Sequence, residues 1–323
     1  MAPAGGPPDA ERIGVAVRTV IAQSTRAETK PGGRWRARVG TAVAAATALA
    51  ALSGVGTAHA DEPDDEPADE PSPLIVGGEP ADQSYPFVGS LQREYEGDPY
   101  QHACGAALVE ERWMVTAAHC VVTNAEGADY EVRDPDAFHV RLDSNDNTEG
   151  GTLLTLDDIK VHPDYVYYPD HDEGQDIALV KLDSAVDIAP AELERRVPYP
   201  GTEVRQVGWG HISNDNISDP TKQPDQLQQL DTSLLWPKRE ECQVNDSGND
   251  AWGARYGDLC VDNPEDTRGA CYGDSGSPLL RKVHGSWRVV GVASRTISLT
   301  CGESPTVYTS IGAHDRWIDR VIH

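Results

Sequence analysis

The chain has 323 residues, with 53 Asp and Glu against 27 Lys and Arg and a formal net charge of −26, so it is long enough to bury a substantial core and strongly acidic. That charge excludes the basic footprint of a nucleic-acid binder and opposes adhesion to anionic lipid, so neither a nucleic-acid partner nor stable membrane association is expected. All six cysteines lie after residue 100, and an even count in an exported chain favours disulfides over metal ligation or free thiols.

In chain order, residues 1–33 mix Pro, Gly and charge without periodicity, the pattern of a disordered extension or of a start assigned too far upstream. Arg34, Arg36 and Arg38 then precede an alanine-rich apolar run over 39–55 that ends in Ala58-His59-Ala60, a small-x-small cleavage pattern. Residues 34–60 therefore read as a signal peptide, and secretion to the extracellular space is expected. A membrane anchor is the weaker alternative, because the run is short, weakly hydrophobic and followed at once by acids. Residues 61–74 are acids and prolines that cannot bury apolar surface, which suits a short propeptide. Composition shifts at Leu74/Ile75. The segment 75–323 carries 43 acids against 20 bases.

Beyond that boundary, short runs with two-residue alternation recur between turn clusters, among them 87–92, 139–143, 203–208 and 227–235. Residues 279–283 and 286–292 flank His284-Gly285 and read as a hairpin. Helical periodicity is convincing only at the end, where Ala313, Trp317, Ile318, Val321 and Ile322 would share one face. The fold class is all-β, as a barrel or sandwich.

Four local motifs carry chemistry. Gly273-Asp274-Ser275-Gly276-Ser277-Pro278 presents a serine between glycines that let a ligand approach the backbone. A serine hydroxyl is a poor nucleophile at neutral pH and needs a base, itself oriented by a third group. Thr116-Ala117-Ala118-His119-Cys120 supplies the histidine, and Asp176 heads the apolar run Asp176-Ile177-Ala178-Leu179-Val180. Ile75-Val76-Gly77-Gly78 begins the segment. Alone, each has a plain structural reading: a glycine turn, a core histidine, a strand-end acid, an ordinary turn aspartate at 274. Together and in this order, from Ile75 to His323, they resemble the trypsin and chymotrypsin family of serine endopeptidases.

The resemblance implies two six-stranded antiparallel β-barrels and a C-terminal helix, with the site in the cleft between barrels. It implies His119, Asp176 and Ser275 as catalytic triad, and the N–H groups of Gly273 and Ser275 as oxyanion hole. It further implies a zymogen cut after Leu74, whose new Ile75 amine pairs with Asp274. Leucine is an unusual residue for that cut, so a distinct processing enzyme or autolysis is expected. The implied disulfides join Cys104 to Cys120, Cys242 to Cys260 and Cys271 to Cys301.

Specificity departs from the best-known pattern. Gly269 stands six residues before Ser275, where trypsin-like members carry aspartate, so cleavage after Lys or Arg is not expected. Thr296 and Thr306 replace wall glycines, which points to an elastase-like pocket for small or medium uncharged side chains, a chymotrypsin-like pocket being the alternative. Arg295 replaces a usual tryptophan, removing an apolar platform and favouring an acidic substrate group, with packing against Tyr272 as the ordinary account. Ser294 matches the residue that hydrogen-bonds the triad aspartate. Ser277 replaces a frequent glycine, a tolerable change.

No cofactor and no metal are expected. His162-Pro163-Asp164 and His171-Asp172-Glu173 lack the spacing of a zinc site, and Asp143, Asp146 and Glu149 read better as a solvated turn than as a calcium loop. The partners expected are polypeptide substrates and an activating protease, with the chain acting as a monomer. Two other functions compete. A non-catalytic binding protein on a protease scaffold would need a damaged triad, and none is visible. An α/β-hydrolase esterase would need G-x-S-x-G, which Ser277 breaks, and a histidine late in the chain.

Overall fold

The computed structural model describes residues 75–123, 130–245 and 247–323. The expected extension, signal and propeptide over residues 1–74 lie outside the described residues. No helix among the described residues is long and apolar enough to cross a membrane.

Fourteen strands follow in order: β1 (Glu79–Pro80), β2 (Val88–Tyr95), β3 (Asp98–Glu110), β4 (Trp113–Thr116), β5 (Phe138–Leu142), β6 (Thr152–Val161), β7 (Ala178–Leu182), β8 (Glu192–Leu193), β9 (Glu203–Gly208), β10 (Gln228–Leu235), β11 (Asp258–Val261), β12 (Pro278–Val283), β13 (Ser286–Thr296) and β14 (Thr306–Ser310). Strands β2-β3-β4-β7-β6-β5 close one antiparallel barrel. In the second, β9-β10-β11-β14-β13-β12 returns to β9, with β1 and β8 as short additions at β10 and β13. The two six-stranded antiparallel barrels expected from the sequence are present.

The apolar pattern explains why the strands form here. In β5 burial alternates strictly, Phe138, Val140 and Leu142 pointing into the first barrel. In β7 the apolar run is nearly continuous because both faces are covered. Ala178, Val180 and Leu182 fill the first barrel, while Leu179 and its neighbour Ile177 face a second cluster with Val207, Trp209, Leu280 and Val292. That second cluster joins the barrels. Leu234, Leu259, Val261, Leu279 and Tyr308 fill the second barrel. Each such side chain removed from water contributes about 1.5–3 kcal/mol.

The C-terminal helix α1 (Ile311–Ile322) is capped by Ser310, whose hydroxyl accepts from the N–H of Ala313 at 3.3 Å. Its buried face is Ile311, His314, Trp317 and Ile318, with Val321 and Ile322 partly covered. Ala313, expected on that face, is exposed, because the inward position one residue later is taken by His314. The hairpin β12/β13 turns at His284-Gly285, where both residues have positive φ. Disulfides link Cys104 with Cys120, Cys242 with Cys260 and Cys271 with Cys301.

Candidate active site

A cleft of about 460 Å³ runs between the barrels and is lined by His119, Ser275, Tyr272, Ser294, Arg295 and Thr306 among others. His119 follows β4 in a short 3₁₀ turn and Asp176 lies just before β7, so antiparallel pairing of β4 with β7 brings them together from 57 residues apart. The contact is closely specified. Asp176 Oδ1 accepts the backbone N–H of His119 at 2.9 Å, and Oδ2 accepts from Nδ1 at 2.7 Å and from the Ser294 hydroxyl at 2.7 Å.

A carboxylate accepts only, so Nδ1 must carry the proton and Nε2 presents its lone pair. Burial disfavours charge on both partners, but their mutual attraction and hydrogen bonds outweigh it, holding the Asp176 carboxyl below its usual range and the His119 imidazole above its own. The Nε2 atom lies 3.8 Å from the Sγ of Cys120, which is tied in a disulfide and so is no metal ligand. Among the described residues no hydrogen bond joins the Ser275 hydroxyl to His119. Such contacts often tighten only around substrate.

The serine loop is anchored to both barrels. The carbonyl of Ser275 accepts from Gly105 of β3 at 2.7 Å, and the N–H of Gly276 donates to Ala293 of β13 at 2.8 Å. Two peptide planes then set the direction of their donors. The carbonyl of Tyr272 accepts from the N–H of His211, and that of Asp274 accepts from Ser277, so in each trans peptide the following N–H, of Gly273 and of Ser275, points the other way. Among the described residues neither N–H has an acceptor. Gly273 has φ +97°, a backbone that glycine adopts without strain, and a Cβ there would also displace the Gln223 amide.

Asp274 is buried, its carboxylate accepting from Gly210 N and Cys271 N at 2.8 Å each. Burial, with no cation beside it among the described residues, pushes it up to about 6. Ile75 is also buried and in the left-handed region, φ 52°, with Val76 bridged to Gly269. Gly269 opens on Thr306. A Cβ at Gly269 would lie 3.4 Å from the Thr306 hydroxyl and 3.6 Å from Gly302 Cα, so the groups nearest that position are small and uncharged.

A family model described as Trypsin matches residues 75–318. The chain belongs to the trypsin family. It is 32% identical over 260 residues to a Mus musculus protein named Tryptase, an alignment spanning 77% of this chain and 88% of that protein. It is likewise 32% identical over 263 residues to Chymotrypsin-like elastase family member 1 of Homo sapiens, spanning 77% of this chain and 92% of that protein. This trypsin-family chain is a serine endopeptidase.

Within that family frame, the structure departs from expectation at Arg295. Although Arg295 lines the cleft, its guanidinium is engaged by Asp172 and Asp258 rather than left free for substrate, and its side chain is only 6% exposed. An isolated ion of that size would not stay buried, and the two carboxylates are what hold it there. In the sequence Asp172 reads only as a stray metal-ligand type, and neither Asp258 nor His102, which touches Gly273, stands out. Their signal is absent because each acts through a contact between segments far apart in the chain. His171 is engaged by its neighbours Asp170 and Glu173, and Asp146 accepts from Thr148 and Glu149 within its own turn.

Proposed function

We propose that this trypsin-family endopeptidase cleaves peptide bonds through Ser275, His119 and Asp176. Ser275 Oγ attacks the scissile carbonyl while His119 Nε2 takes its proton, and the N–H groups of Gly273 and Ser275 stabilise the oxyanion. Nε2 then returns the proton to the leaving amine, giving an acyl-enzyme that water hydrolyses by the same relay. Asp176 keeps the proton on Nδ1 and stabilises the imidazolium. The observation that carries this reading is the pinning of His119 Nδ1 on Asp176, which leaves a bare Nε2 in the same cleft as Ser275.

The chain is made as a secreted zymogen. Residues 34–60 direct export, 61–74 form the propeptide, and cleavage at Leu74/Ile75 frees an amine that pairs with Asp274. The buried carboxylate of Asp274, without a cation among the described residues, supports that step, as does the docking of Val76 against Gly269. With Gly269, Thr296 and Thr306 around the primary pocket, small or medium uncharged residues before the scissile bond are preferred. The enzyme works as a monomer on polypeptides and is activated by another protease or by itself.

Labelling of the matured protein by phenylmethylsulfonyl fluoride, with its modified peptide and its N-terminus both read by mass spectrometry, tests these assignments. Modification of Ser275, lost in Ser275→Ala, and an N-terminus at Ile75 are expected. An unlabelled but folded and matured enzyme would overturn the triad, and a different N-terminus would overturn the activation step.

A further inference from the structure

Arg295 lies in β13 at an irregularity of the ladder with β14: Ala293 pairs with Tyr308 and Arg295 with Val307, leaving Ser294 as an extra residue. Such a bulge re-aims the side chain it carries, and here the Ser294 hydroxyl meets Asp176 at 2.7 Å. The Arg295 guanidinium reaches the same hydroxyl. Nη1 donates to Ser294 Oγ at 3.0 Å and contacts Asp172 Oδ1 at 3.1 Å. Nη2 donates to Asp258 Oδ2 at 2.5 Å and to the carbonyl of Gly253 at 2.9 Å, and Nε donates to that of Trp252 at 3.1 Å. Four hydrogen bonds and the ion pair with Asp172 thus hold the fork and fix the plane of the group.

The polarity of this chain of bonds is set by its ends. Arginine only donates and the Asp176 carboxylate only accepts, so the Ser294 hydroxyl must accept from Nη1 and donate to Oδ2. A donor bonded into the hydroxyl oxygen strengthens its own O–H as a donor. Oδ2 is also the atom that holds His119 Nδ1. We propose that Arg295 is a positioning residue for hydrolysis, locking the Ser294 hydroxyl onto Asp176 while Asp172 and Asp258 clamp its guanidinium.

This inference rests on the triad reading above and adds to it a residue outside the triad. The charged groups around His119 are Asp176, Asp172 and Arg295, with Asp258 behind the arginine and Tyr165 beside the two cleft-side aspartates. Asp172 favours protonation of His119, whereas Arg295 opposes it. Removing the arginine leaves Asp172 and Asp258 without their cation and lets the serine hydroxyl rotate. Both effects act on the His119–Asp176 pair.

The test is the pH dependence of the second-order inactivation rate with phenylmethylsulfonyl fluoride, measured on matured wild type, Arg295→Gln and Arg295→Lys. This reagent modifies the nucleophile without using an extended substrate strand. In R295Q the acid limb is expected to move to higher pH by about half a unit or more, because the general base then stays protonated further up the scale. In R295K one ammonium cannot satisfy the hydroxyl, two carboxylates and two carbonyls, and the plateau rate is expected to fall about 10-fold. Folded variants with wild-type midpoint and plateau, altered only in peptide KM or in Tm, would overturn the proposal and leave Arg295 a structural residue. Should R295Q not fold, the R295K plateau decides. If wild type is not labelled at Ser275 at all, the triad and this inference fall together, which separates that failure from a normal wild type with indifferent variants.

Discussion

His102 Nε2 donates to the carbonyl of Gly273 at 3.0 Å, while its Nδ1 accepts from the Ser90 hydroxyl at 2.7 Å. The carbonyl admits only a donor, so the ring is the neutral Nε2–H tautomer. With the carbonyl of Tyr272 held by His211, this bond pins the peptide planes on both sides of Gly273. His102 thereby holds to the first barrel the peptide that follows Gly273, the residue whose N–H is the proposed oxyanion donor. In matured enzyme, His102→Ala is expected to lower kcat about 10-fold or more with little change in KM, since a misplaced donor costs transition-state binding. Steady-state kinetics on a short chromogenic peptide reads this directly.

The same histidine makes stability depend on pH. Burial lowers His102 to about 4, so between about pH 6.5 and 4 the unfolded chain takes up a proton that the folded chain refuses. Its contribution is complete above that window and is lost as pH falls through it. Urea unfolding of wild type and H102A at about pH 7 and about pH 4.5 should show a smaller pH-dependent loss in the variant.

Asp274 behaves with the opposite sign in the full, uncleaved chain. Its raised value, about 6, means the folded chain binds a proton that the unfolded chain has released, so stability falls as pH rises from about 4 to 6. A displacement of about two pH units corresponds to roughly 3 kcal/mol. The full chain carrying Asp274→Asn should lose this slope, and wild type cleaved at Ile75 should lose it too, because the new amine favours the charged form. Thermal melts across about pH 4–7 on the three proteins check both.

The cleft floor predicts substrate preference. With Thr306 beneath Gly269, peptides with Ala, Val or Leu before the scissile bond are expected to react faster than those with Phe, Lys or Arg. The double change Thr296→Gly and Thr306→Gly should raise kcat/KM for Phe relative to Ala by about 10-fold, the scale of a few methylenes admitted or refused. Profiling with a mixed peptide library gives the ratio.

Away from the cleft, Arg205 joins Asp82 and Tyr85 near the start of the domain to Gln229 and Asp231 of β10. Its carboxylate partners are largely exposed, whereas the Tyr85 hydroxyl and Gln229 are buried and keep further partners in Gln83, Asp82 and each other. Arg205→Leu is expected to cost about 2–3 kcal/mol in chemical denaturation, chiefly from the lost charge-assisted hydrogen bonds of the guanidinium, with catalysis of the folded fraction unchanged.

Alternation and motif order are local properties. The all-β class, the hairpin at His284-Gly285, the C-terminal helix and the segments that bear His119, Asp176 and Ser275 are therefore legible without coordinates. The inward face of that helix is less so, since apolar spacing alone selects Ala313 and overlooks the buried His314. The role of Arg295 is a property of the folded molecule. From sequence it is a cation standing where an apolar residue usually sits, and its obvious use is to meet an acidic substrate. Asp172 and Asp258, both earlier in the chain, engage its charge instead. The same holds for His102 and Gly273, 171 residues apart. Electrostatics and hydrogen bonding depend on distance and burial, and these arise only when two closed barrels bring remote segments within a few ångströms.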